Sequence, residues 1–133
     1  GILEGTPHYM SPEQAREASA PPLDHRTDIY SLGVVLYELL TLERPFEGDS
    51  SAEILGKIKT QAPVAVRTRN RSVPRDLALI CEQAMRRDPN LRYASARELY
   101  EDLENFRSFQ AVSARSLTAR MRLADWMRRR KLA

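Results

Sequence analysis

Asp28 is the first side chain in this sequence of 133 residues that asks for a partner. It opens the run Asp28-Ile29-Tyr30-Ser31-Leu32-Gly33-Val34-Val35-Leu36-Tyr37-Glu38-Leu39-Leu40-Thr41, which is apolar on nearly every side of a helix. A surface helix shows one apolar stripe, whereas a helix that is apolar all round belongs inside. Asp28 is therefore expected to be a buried carboxylate, and such a group is costly unless donors hydrogen-bond to it. The only cysteine, Cys81, shares helical spacing with Leu77, Ile80, Ala84 and Met85 and reads as a core residue rather than a reactive thiol. A single cysteine forbids an internal disulfide and points to a reducing, cytoplasmic setting. His8 and His25 lack the neighbours that metal binding or general-base work requires, and both are expected to face solvent. Asn70-Arg71-Ser72 matches a glycosylation sequon, but no secretory signal opens the chain, so it reads as ordinary loop.

The elements that must position these groups are helical. Residues 1–14 mix Gly, Thr and two prolines and read as irregular, with a helical turn from Ser11 that places Pro12 first and Glu13 in the first turn. The central helix ends before Arg44-Pro45. Ser50 and Glu53 form a capping box ahead of Ile54, Leu55 and Ile58, and Ser95 and Glu98 form another ahead of Leu99, Leu103 and Phe106. Pro74 starts a helix that Asp88-Pro89 stops, residues 61–73 read as loop, and a last helix is expected over Leu117–Arg130. No strand-like alternation and no repeat is present. With 42% hydrophobic and 29% charged residues the chain reads as one ordinary all-α globular unit. It contains no run of about 18 apolar residues that could span a membrane. It begins at Gly1 with no methionine before Met10, as a fragment or a processed chain would.

Three separated motifs together resemble the C-terminal lobe of a protein kinase, particularly of bacterial serine/threonine kinases. Gly5-Thr6-Pro7-His8-Tyr9-Met10-Ser11-Pro12-Glu13 looks like the end of an activation segment, with Ser-Pro-Glu in place of Ala-Pro-Glu. Asp28-Ile29-Tyr30-Ser31-Leu32-Gly33 is similar to the start of the long buried helix of that lobe, and Asp88-Pro89-Asn90-Leu91-Arg92-Tyr93 to the loop before its final helix. The resemblance covers residues 1–109 as a partial kinase domain and leaves 110–133 as a basic linker. It implies that Glu13 pairs with Arg92 and that Asp28 accepts hydrogen bonds from the backbone of a catalytic loop. It also implies that Thr6 sits beside a catalytic aspartate and shapes the site for a serine or threonine hydroxyl, with Tyr9 and Met10 as apolar walls of the substrate pocket. Phosphoryl transfer further needs a Gly-rich nucleotide cover, a phosphate-binding lysine, a His-Arg-Asp loop and an Asp-Phe-Gly metal ligand. None occurs in these residues, and Gly33 and Gly48 belong to no phosphate-cradling pattern. No catalytic residue is therefore expected in this chain, nor bound ATP, Mg or other metal; ATP and Mg belong to the intact parent.

Charge is divided along the chain. Residues 1–106 carry 13 Lys/Arg against 17 Asp/Glu, whereas residues 107–133 carry 8 against 1. Trp126 beside Arg128, Arg129, Arg130 and Lys131 resembles the linker that precedes a transmembrane helix in some receptor-type bacterial kinases, and suits an anionic membrane surface. A solvated helix, or one docked back on the lobe, fits the same residues, while no nucleic-acid motif accompanies the charge. The leading expectation is a fragment of a serine/threonine protein kinase that acts on protein hydroxyls and needs the missing N-terminal part of its domain. The alternative is a non-catalytic docking or scaffold module derived from a kinase lobe.

Overall fold

The computed structural model describes residues 7–16 and 23–131. Among them every regular element is helical: α1 (Pro12–Ala15), α2 (Arg26–Thr41), α3 (Ser51–Thr60), α4 (Val66–Arg69), α5 (Arg75–Ala84), α6 (Ala96–Arg107) and α7 (Ser113–Lys131), with single 3-10 turns at Pro7–Tyr9 and Pro89–Leu91. The helix starts follow local side-chain chemistry. Ser50 and Ser95 accept the backbone N–H groups of Glu53 (3.1 Å) and Glu98 (3.2 Å), and each glutamate reaches back to the residue before its serine, Asp49 or Ala94. Ser11 and Gln14 form a full capping box around α1.

Helix α2 is the pedestal. On one side it packs on α5, and Tyr30, Val34 and Tyr37 join Val73, Cys81 and Met85 in the larger core cluster. Gly33 permits the close approach: a Cβ there would stand 2.7 Å from Met85 Cγ and 2.9 Å from Ala84 Cβ. The Cys81 thiol meets Gly33 O at 3.4 Å, and burial pushes it up to about 12, which keeps it inert. The helix ends at Leu42, whose left-handed φ of 60° lets its N–H bond Glu38 O at 2.8 Å.

Three expectations need correction. Helix α2 is not buried all round: Leu32, Val35 and Leu39 are 50%, 46% and 71% exposed. The segment 61–73 is not all loop, because Val66 plugs the core and seeds α4. Helix α7 begins at Ser113 rather than Leu117, because Asp102 of α6 supplies acceptors for its first N–H groups. Val112 and Ala114 are buried with Ile29, Ile80 and Tyr93 in a second cluster, which docks the first turn of α7, whereas 122–130 is exposed.

Candidate functional site

Arg92 and Glu13, 79 positions apart, meet in a bidentate pair. Arg92 Nη1 donates to Glu13 Oε2 at 2.6 Å and Nη2 to Oε1 at 2.7 Å. The remaining guanidinium donors reach the carbonyls of Arg86 (2.7 Å), Arg26 (3.0 Å) and Arg87 (3.3 Å), so all five N–H groups have acceptors. The guanidinium also lies 5.0 Å from the centroid of the Tyr30 ring. Thr27 donates to Glu13 Oε2 at 2.9 Å, which ties the start of α2 into the same knot. Burial alone pushes the Glu13 carboxyl up. The Arg92 guanidinium, the backbone N–H of Glu13 and the Thr27 hydroxyl outweigh it and hold the group below its ordinary value.

The segment Pro7–Met10, just before α1, is held against α2 by separate bonds. Ser31 donates to Tyr9 O at 2.8 Å, and the Tyr9 hydroxyl donates to Glu38 Oε1 at 2.9 Å. Tyr9 thus presents a tethered polar tip in addition to its ring, and Met10 beside it is half-buried. His8 is not solvent-facing as expected: its side chain is only 12% exposed, 3.7 Å from Glu47 and 3.3 Å from an Arg44 amino group. His25 is exposed, and its Nε2 hydrogen-bonds to Ala94 O. Thr6 lies outside the described residues.

Asp28 departs from expectation most clearly. It is exposed, and its carboxylate has no hydrogen bond or ion pair among the described residues. The reason is the open side of α2: water solvates the group, so no desolvation cost arises in this chain. The buried acid is instead Asp102, which sequence reasoning passed over. Only 2% exposed, it accepts from Tyr93 Oη (2.6 Å), Ser113 N (2.7 Å), Ser113 Oγ (2.9 Å) and Ala114 N (3.1 Å). Its signal was position: three residues after Leu99, it falls on the apolar stripe of α6. Burial first, and the Asp102 carboxylate second, push the Tyr93 phenol far up.

The residues present do not fit Mg-ATP. Among the described residues no group of three or more His, Cys, Asp or Glu could hold a metal ion, and the sequence carries no phosphate-cradling loop. No helix among the described residues is long and apolar enough to cross a membrane.

Comparison with known proteins places this geometry. A family model described as the protein kinase domain matches residues 2–103. This chain belongs to the protein kinase family. A Clostridium perfringens protein named as a probable serine/threonine-protein kinase is 38% identical over 115 residues, covering 86% of this chain and 16% of that protein. The serine/threonine-protein kinase PknB of Mycobacterium tuberculosis is 41% identical over 99 residues, covering 74% of this chain and 15% of PknB. Among solved structures, the twitchin kinase region of C. elegans is 26% identical with a TM-score of 0.63, over 71% of this chain and 16% of that one. The chain therefore spans about one sixth of the length of these relatives, and its all-helical architecture is that of the C-terminal lobe of a kinase.

Proposed function

We propose that the whole protein is a serine/threonine kinase and that these residues form the substrate-side lobe of its catalytic domain, with the kinase portion running over 1–109. The observation that carries this reading is the open face of α2. Leu32, Val35 and Leu39 continue onto Leu99, Tyr100 and Leu103 of α6 as an apolar groove of about 310 Å³, with exposed Asp28 on the first turn of the same helix. Contiguous exposed apolar surface marks an interface. The remainder of the kinase domain is its occupant, and the Asp28 carboxylate is the acceptor for that portion's catalytic-loop backbone. The nucleotide, the metal and the catalytic groups belong to the same portion. Tyr9 and Met10, held against α2 through Ser31 and Glu38, form the wall that receives the residue next to the phosphorylated hydroxyl, and Thr6 is assigned to the choice of a serine or threonine hydroxyl.

The experiment is a chimera in which residues 5–109 replace the aligned part of M. tuberculosis PknB. Incubation with labelled ATP and a protein substrate should yield phosphoserine and phosphothreonine. A folded chimera that binds ATP without transfer, or one that yields phosphotyrosine, would contradict the proposal.

The far end of α7 is assigned to an anionic membrane surface. Arg130 lies over the Trp126 ring at 4.4 Å, and Leu123, Trp126 and Met127 are about half exposed. A tryptophan among cations suits the headgroup region, where each cation adds about 1 kcal/mol. Vesicles containing phosphatidylserine should sediment the chain, and Arg128→Gln/Arg129→Gln should reduce the bound fraction. Equal binding to neutral vesicles would overturn the assignment.

A further inference from the structure

A cleft of about 410 Å³ lies between α4, α5 and α7. Four arginines line it, contributed by three helices: Arg67, Arg75, Arg115 and Arg122. Glu82 is the one acid in its lining, and its Oε2 is taken by the Val66 N–H at 3.1 Å. Nearby Asp76 is paired with Arg115 at 2.9 Å. Arg67 spends only its Nε, on Val73 O at 3.0 Å. Arg75 and Arg122 have no hydrogen-bond or ion-pair partner among the described residues. The cleft thus holds spare guanidinium donors on three separate helices, and its lining also includes Leu79 and Ala119.

We infer that this cleft binds a phosphate monoester carried on a polypeptide, a phosphothreonine or phosphoserine side chain. A monoester carries close to two negative charges near neutral pH and three acceptor oxygens, which several guanidinium forks can share. A carboxylate is satisfied by one fork and would leave the other arginines facing one another. The recess also favours a side chain over a bilayer. Membrane contact needs a convex or flat surface such as the exposed end of α7, whereas this cleft is lined from three helices and includes the apolar Ala78, Leu79 and Ala119, which suit a short stem. The inference rests on charge and shape at the cleft and does not depend on the proposed catalytic role of the lobe.

The test is fluorescence anisotropy of the chain with a labelled Gly/Ala peptide carrying threonine, phosphothreonine or glutamate at one position. The phosphothreonine form should bind about tenfold or more tightly than the other two, and its binding should weaken as salt rises. Arg75→Gln/Arg122→Gln should abolish most of that difference. Arg128→Gln/Arg129→Gln, which removes the same charge from the far end of α7, should leave it intact. Circular dichroism of both variants verifies that the helices are retained. Equal binding of the glutamate peptide, or equal loss in the two double variants, would overturn the inference. So would binding through Arg75 and Arg122 to phosphatidylserine vesicles but not to the phosphopeptide.

Discussion

Glu13 and Arg92 illustrate why a buried ion pair must be judged by its remaining donors. Every guanidinium N–H has an acceptor, so removing the carboxylate leaves a fully buried cation facing carbonyls and a hydroxyl alone. Glu13→Ala should lower unfolding stability by about 3–5 kcal/mol in urea titrations; a loss within the range of surface substitutions would refute the knot. The pair also has a pH signature. Its carboxyl is held below the ordinary value of 4.5 in the folded state, so the pair's contribution is complete above that range. The contribution is lost as the pH falls through the lowered folded value, where the unfolded carboxyl is already protonated. The wild type should therefore lose stability on acidification more steeply than Glu13→Gln, and parallel curves would contradict this. The pairing was legible only through the resemblance of two motifs, since no local rule joins residues 79 positions apart. Asp102 was easily missed despite its place on the stripe, because it sits among Glu98, Glu101 and Glu104, where an acid reads as surface; its burial depends on Tyr93 and the turn before α7.

Helices were easier to read than their partners. Capping serines and prolines marked α1, α3, α5 and α6 because those signals act within a few residues. The apolar run of α2 announced a central helix, but not which of its sides these residues cover. Gly33 marks the covered side. Gly33→Ala gains about 1 kcal/mol of helix propensity, yet its methyl would meet Ala84 Cβ, which cannot move without shifting α5. Overpacking of this kind costs about 1–3 kcal/mol. The net result should be a loss of stability, visible as a lower urea midpoint; a gain would show that α2 and α5 are farther apart. Docking of α7 depends on Asp102 in the same way. Asp102→Ala strips acceptors from Tyr93, Ser113 and Ala114, each buried unpaired donor costing about 1–3 kcal/mol. Trypsin should then cut after Arg115 and Arg120 faster than in the wild type, and unchanged cleavage would place the anchor elsewhere.

The molecule as a whole is divided in both charge and burial. Its acidic body carries a packed core between α2 and α5, while the positive charge is concentrated in 107–133, on a helix whose start is buried at Val112 and Ala114 and whose far end is exposed. The face of α2 that is left open carries Asp28 on its first turn, and the rest of the kinase domain is proposed to seat on it. A mutation at Asp28 separates that role from a merely structural one. In the chain alone Asp28 is exposed and unpartnered among the described residues, so Asp28→Ala should leave unfolding stability in urea titrations within about 0.5 kcal/mol of wild type. In the PknB chimera the same substitution should lower phosphoryl transfer to protein serine and threonine by about a hundredfold, because a catalytic loop that loses its anchor loses its alignment. A chimera whose transfer rate is unchanged by Asp28→Ala would contradict the assignment of this helix as the pedestal of a kinase active site.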